Sequence, residues 1–162
     1  MTMLEVRPPA DVSLVEVELS RDPRERLAVL LGAYDPLPGD EGCGVFAGIG
    51  HVEGRPAVAF ATDPSIQGGA MGSAGCEVIV DAYRVALERK APIVGVWQSG
   101  GARLAEGVAS LDGVGRVFRA MTRASGQVPQ VSVILGPAAG GAAYGPALTH
   151  VVILGPSGLV CV

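Results

Sequence analysis

Aromatic residues make up only 4% of this 162-residue chain, so a core must come from Val, Leu, Ile and Ala. A basic excess is missing as well: 12 Lys and Arg against 16 Asp and Glu leave a net charge of −4. Nucleic-acid binders usually carry a basic stripe, and that class is set aside. Long apolar runs are absent. Each run breaks at Gly, Pro or a charge well before the roughly 20 residues that span a bilayer. The first ten residues hold Glu5, Arg7 and two prolines without an apolar stretch, so no secretory signal is read there. The three cysteines, Cys43, Cys76 and Cys161, are far apart and form no C-x-x-C pair. That spacing argues against a zinc site and a disulfide framework. They read as small apolar filler in a reducing compartment. The expectation is a cytoplasmic protein with no nucleic-acid or membrane partner and no metal.

Glycine is abundant, at 24 residues with no collagen period. Two glycine turns carry most of the information. Ser99-Gly100-Gly101-Ala102-Arg103 follows the strand-like run Pro92-Ile93-Val94-Gly95-Val96-Trp97. Gly136-Pro137-Ala138-Ala139-Gly140-Gly141-Ala142 follows Val131-Ser132-Val133-Ile134-Leu135. A glycine-rich strand-to-helix turn exposes backbone N–H groups with no side chains in the way. Donors aimed where negative charge develops form an oxyanion hole. The two turns predict two donors converging on one oxygen.

The remaining pattern is α/β. Residues 1–22 read as an N-terminal arm or edge strand. A helix is expected to Leu31, with Asp22 as N-cap, Pro23 at the first position and Gly32 as its stop. Residues 35–43 read as a loop. A hairpin follows, 44–52 and 55–61, turning at Glu53-Gly54. Then come a glycine loop, Gly68-Gly69-Ala70-Met71-Gly72, and a helix over 74–90 with Glu77, Asp81, Arg84 and Glu88 on one polar face. A strand at 92–97, a helix at 111–124, a strand at 130–135, a short helix at 140–147 and strands at 151–154 and 159–162 complete the order. Leu111, Val114, Phe118 and Met121 are the expected stripe of the 111–124 helix. The strands are expected to be buried on both faces. The chain stops inside an apolar run and reads as a fragment of a longer protein.

Three long segments resemble one family. Residues 99–108, SGGARLAEGV, resemble the D-S-G-G-A-R-I-Q-E-G-V signature of biotin-dependent acyl-CoA carboxylases. Residues 124–132, ASGQVPQVS, resemble their R-A-S-G-V-I-P-Q-I-S. Residues 136–149 resemble G-P-C-A-G-G-A-V-Y-S-P-A-L-T. The similarity runs from about Arg24 to the end and is nearest to carboxyltransferase β subunits of actinobacterial acetyl-/propionyl-CoA carboxylases, the kind that feeds malonyl-CoA to fatty-acid synthesis. It implies a crotonase-like spiral of β-β-α units over residues 23–162, an incomplete N-terminal carboxyltransferase domain whose C-terminal companion is absent.

By the same resemblance, the Gly101/Ala102 and Gly140/Gly141 amides hold oxygens of an acyl thioester or carboxyl group. Gly68, Gly69, Ala70, Met71, Gly72, Arg103, Ala139 and Tyr144 are the implied substrate contacts. The implied partners are acyl-CoA, a biotin carboxylase/biotin carrier α subunit and further copies of the chain in a hexamer, a trimer of dimers. Biotin belongs on another subunit or domain: its attachment lysine follows Met, and the only lysine here, Lys90, follows Arg89. The chemistry needs no strong side-chain base, which suits a chain with no Ser-His-Asp set. Departures from the family pattern are Trp97-Gln98 before the first turn, Ala138 for Cys, Gly145 for Ser, His150 for Asp and Val78 for Lys. They leave acyl-chain preference open. Two other readings stay open: a subunit of a biotin-dependent malonyl or methylmalonyl thioester decarboxylase, and a non-catalytic acyl-CoA-binding or assembly fragment. The isolated chain is expected to be inactive.

Overall fold

The computed structural model describes residues 20–162, so nearly all of the expected arm lies outside the described residues. The first helix, α1 (Pro23–Leu31), starts as its capping residues dictate. The Asp22 carboxylate accepts from Arg24 N at 2.7 Å, and Gly32 ends the helix at φ +67°. Seven strands form one sheet: β1 (Asp35–Pro36), β2 (Val45–Val52), β3 (Arg55–Thr62), β4 (Ile93–Ser99), β5 (Gln130–Ala139), β6 (Val151–Leu154) and β7 (Leu159–Cys161). β1 through β3 pair antiparallel; β3, β4, β5 and β6 run parallel, and β7 pairs the far half of β5. Between strands lie α2 (Ser73–Arg89), α3 (Val108–Ala124) and α4 (Gly141–Ala147), with single 3-10 turns at Gln67–Gly69 and Leu104–Glu106.

Side chains alternate across β3, and that alternation builds two cores. Val58 and Phe60 face the larger cluster with Ile79, Tyr83, Trp97, Met121 and Ile134, under α2 and α3. Ala57, Ala59 and Ala61 face the smaller one with Leu27, Leu31 and Val96, under α1. Trp97 anchors the large core. Its ring meets Phe60 edge-on at 5.1 Å, and its indole N–H donates to Ser132 Oγ at 3.0 Å. Gly95 lies between these rings, where a Cβ would come within 2.5 Å of Phe60.

Several expectations are corrected. The 35–43 loop contains a two-residue strand, because Asp35 and Pro36 pair with Ile49 and Gly48 on β2. The helix expected at 111 starts at Val108, and its buried face is Gly113, Val114, Val117, Met121 and Ala124. Leu111 is 58% exposed. The face is rotated because α3 presses Gly113 onto α2, where a Cβ would stand 3.0 Å from the Cys76 Cβ. The strand expected at 130–135 continues to Ala139. Gly136-Pro137 looks like a breaker in sequence. Pro137 instead falls where the β4–β5 register skips from Trp97↔Ile134 to Ser99↔Ala138. Burial on both faces holds for β3 and β4 but not for β6 and β7, whose Val151, Val152, Ile153, Leu154, Leu159 and Val160 are all exposed. Tyr144 is exposed too.

Candidate active site

β4 and β5 are parallel neighbours, so both deliver their following turn to the same edge of the sheet. In open parallel sheets, ligands gather outside the carboxyl ends of the strands. The two glycine turns touch there. Gly101 adopts φ +93°, and a Cβ on it would stand 2.8 Å from Ala139 O and 3.5 Å from Gly141 N. A Cβ on Gly140, at φ +52°, would lie 4.0 Å from the Gly101 Cα. The absence of side chains at these two positions lets the turns approach this closely.

The first turn is held by the glycine loop. Met71 N donates to Gly101 O at 2.7 Å, and Arg103 N donates to Met71 O at 2.9 Å. Those two bonds form a parallel bridge between Met71 and Ala102. Gly100 N donates to Gly68 O at 3.1 Å, and Gly101 N to Ser99 Oγ at 3.1 Å. Gly101 is therefore corrected: its amide is satisfied internally, and its role is to bring the two turns together. The Ala102 N–H, pinned on both sides by Met71, has no partner among the described residues. In the second turn, Gly140 O accepts from Ala143 N at 2.8 Å, which starts α4. The Gly141 N–H has no partner among the described residues, while the Gly140 N–H ends the β5–β7 ladder beside Cys161. Unsatisfied N–H groups at a helix start are oriented donors. Ala102 in the first turn and Gly141 in the second therefore carry the N–H groups without a partner among the described residues.

The glycine loop packs against the first turn. A Cβ on Gly69 would collide with Gln98 O, so the loop backbone lies directly on β4. Met71 contributes through its backbone only, since its side chain is 1% exposed and belongs to the core. Ala70 and Ala139 are half-buried beside the turns. Arg103 is not free to reach an anion. Its guanidinium donates to Glu106 Oε1 at 3.1 Å, Cys43 O at 3.2 Å and Ala70 O at 3.3 Å.

Two of the departures from the family pattern, Gln98 and His150, have structural partners. Gln98, 5% exposed, accepts from the buried Arg26 at 2.8 Å and exchanges two hydrogen bonds with Thr62. Burial lowers the Arg26 pKa, and Arg21 lowers it further. His150 is a structural staple, its Nδ1 accepting from Gln130 N at 3.0 Å. Cavities of about 520 and 400 Å³ lie elsewhere, lined by residues outside both turns.

An α/β sheet whose two glycine turns meet at its carboxyl edge defines a crotonase-type fold. Comparison with known proteins agrees. The carboxyl transferase domain model matches residues 33–157, and the chain belongs to that family. The propionyl-CoA carboxylase beta chain of Rhodococcus erythropolis is 53% identical over 150 residues, covering 90% of this chain and 32% of that protein. The biotin-dependent acetyl-/propionyl-coenzyme A carboxylase beta6 subunit of Mycobacterium tuberculosis is 53% identical over 148 residues, covering 88% of this chain and 31% of its own. Transcarboxylase 12S, solved as a hexamer with hydrolysed methylmalonyl-coenzyme A bound, superposes with a TM-score of 0.76 at 36% identity, over 80% of this chain and 28% of that one. The chain spans under a third of the length of these relatives.

Proposed function

We propose that this chain is the thioester-binding part of a carboxyltransferase subunit of an acetyl-/propionyl-CoA carboxylase. The complete enzyme moves a carboxyl group to the α-carbon of a short acyl-CoA, giving malonyl-CoA or methylmalonyl-CoA. The observation that carries this reading is the meeting of the two turns, with the Ala102 and Gly141 amides unclaimed among the described residues. Loss of the α-proton places negative charge on the thioester oxygen. Donors fixed beforehand stabilise that charge without reorganising, and removing one typically costs about 3–4 kcal/mol in the barrier. Gly68, Gly69, Ala70 and Gly72 shape the wall beside the first turn. Tyr144 and Ala139 flank the second, free to touch an acyl-CoA.

Carboxybiotin, when bound by the assembled enzyme, supplies the carboxyl group. The residues here fit the thioester side of that exchange. Lys90, the only lysine, ends α2 with φ +51° after Arg89, so a separate biotin carboxylase/biotin carrier α subunit is the proposed carrier. Further copies in a hexamer are the other proposed partners, supported by the assembly of transcarboxylase 12S. The carboxylase names of the relatives at 53% identity favour carboxylation over decarboxylation. Three free thiols favour the cytoplasm.

Isothermal titration with propionyl-CoA tests the reading. The wild-type chain binds it, and Ala102→Pro, which deletes the one donor N–H, weakens binding at least about 10-fold with the circular dichroism melt retained. Absence of acyl-CoA binding by the wild-type chain refutes the proposal.

A further inference from the structure

The N-terminus of α2 is capped from outside its own segment. Its N-cap residue is Gly72, which has no side chain to offer. A carboxylate from the 3-10 turn after the first glycine turn takes that place: Glu106 Oε2 accepts from Ser73 N at 2.7 Å. A Cβ on Gly72 would collide with this carboxylate, so the glycine and the distant acid are a matched pair. The other oxygen, Oε1, accepts from Arg103 at 3.1 Å, and the side chains are only 32% and 14% exposed. Arg103 extends the clamp to the carbonyls of Cys43 and Ala70.

We infer that Glu106 is a positioning residue for the Ala102 amide. The inference rests on the thioester reading for its chemical meaning. Ala102 has no hydrogen bond of its own among the described residues; its place is set by the bonds of Gly101 and Arg103 to Met71. Met71 lies between Ala70, gripped by Arg103, and Gly72–Ser73, gripped by Glu106. One carboxylate thus closes a ring through residues 70–73 and 101–106, with the donor inside it. The negative charge also sits at the positive end of the 17-residue α2, where it is favoured. Arg116 of α3 adds a contact to Ser73 Oγ at 3.3 Å, so the ring is anchored on both helices. Without the carboxylate, Ser73 N loses its acceptor and the partly buried Arg103 loses its counter-charge. The loop then moves relative to the turn, and a displacement near 1 Å at a reacting group costs about 100-fold.

Amide hydrogen exchange on the 162-residue chain tests this, with Glu106→Gln and Glu106→Ala. Gln keeps an oxygen for Ser73 N but loses the charge that pairs with Arg103. We expect exchange at Ser73, Met71 and Arg103 to rise about 10-fold in the Gln variant and further in the Ala variant. Exchange at Val96 and Ile134 in the core strands stays at its wild-type rate. A purely structural role speeds all of these amides together, and that result overturns the inference. Unchanged exchange at Met71 and Arg103 overturns it too. Propionyl-CoA titration then separates the two claims. Wild-type binding with about 10-fold weaker binding by Glu106→Gln supports both. No wild-type binding sinks the thioester reading while the exchange data still decide the clamp.

Discussion

Replacing Gly101 with Ala attacks the meeting of the turns directly. At φ +93° a side chain strains the backbone, and a left-handed conformation costs an L-residue about 1–2 kcal/mol. The new Cβ would stand 2.8 Å from Ala139 O, a backbone atom that yields only if the end of β5 shifts. Overpacking of this kind costs about 1–3 kcal/mol. Together the loss is about 2–5 kcal/mol, against a typical total of about 5–15 kcal/mol. Urea unfolding followed by the fluorescence of Trp97, the only tryptophan and fully buried, reads it out. With a slope of about 1–3 kcal/mol/M, the midpoint drops by about 1 M or more. Affinity for propionyl-CoA falls as well, because the displaced carbonyl directly precedes Gly140. Gly115→Ala is the matched control. Gly115 is helical, and a Cβ there meets nothing within 4 Å. It should raise stability by about 0.5–1 kcal/mol. If Gly101→Ala unfolds within about 0.5 kcal/mol of wild type, the range of an ordinary surface change, the close approach of the turns is wrong.

Asp22→Ala removes the cap on Arg24 N and should cost about 1 kcal/mol in the same urea assay. Iodoacetamide at pH 8 should modify Cys161 alone in the native chain and all three thiols after denaturation, counted by mass spectrometry, since Cys43 and Cys76 are buried. Burial pushes the Cys76 thiol up to about 11 from an ordinary 9.0, so folding favours its neutral form. That contribution is whole below pH 9 and is lost as pH rises towards 11; Cys76→Ala should flatten the decline in urea midpoint over this window. Trp97→Phe should cost about 1–3 kcal/mol, chiefly by stranding the buried Ser132 hydroxyl, which Ser132→Ala in the same background should partly recover. Carboxyl transfer by the chain alone should be undetectable in a radiolabel assay, because the chain spans under a third of the length of its relatives.

Local chemistry was legible in the sequence wherever a single short stretch decides the outcome. Asp22-Pro23 and Gly32 bound α1 as expected, the Glu53-Gly54 hairpin turned where it should, and the glycine turns followed their strands. Contacts between segments were not legible. The stripe of α3 turned away from Leu111 because Gly113 lets α2 approach, a fact about Cys76 as much as about α3. Arg103 carries a charge that suits a phosphate, yet its neighbours in space are Cys43 O, Ala70 O and Glu106. Glu106 looks like an acid for the helix that follows it, and in the fold it caps the helix that precedes it.

The order of apolar runs and glycines was enough by itself to specify an α/β sheet that opens with a hairpin and carries N–H-rich turns, because strand alternation, capping and positive φ depend on nearest neighbours. Which amides remained free was settled only when Gly68 and Met71 came to lie against the first turn and Ser99, within it, turned its hydroxyl to Gly101. Gly68 claims the Gly100 amide from dozens of positions away and leaves no mark in the local sequence, and only the folded turn shows that the Ser99 hydroxyl takes the Gly101 amide and leaves that of Ala102.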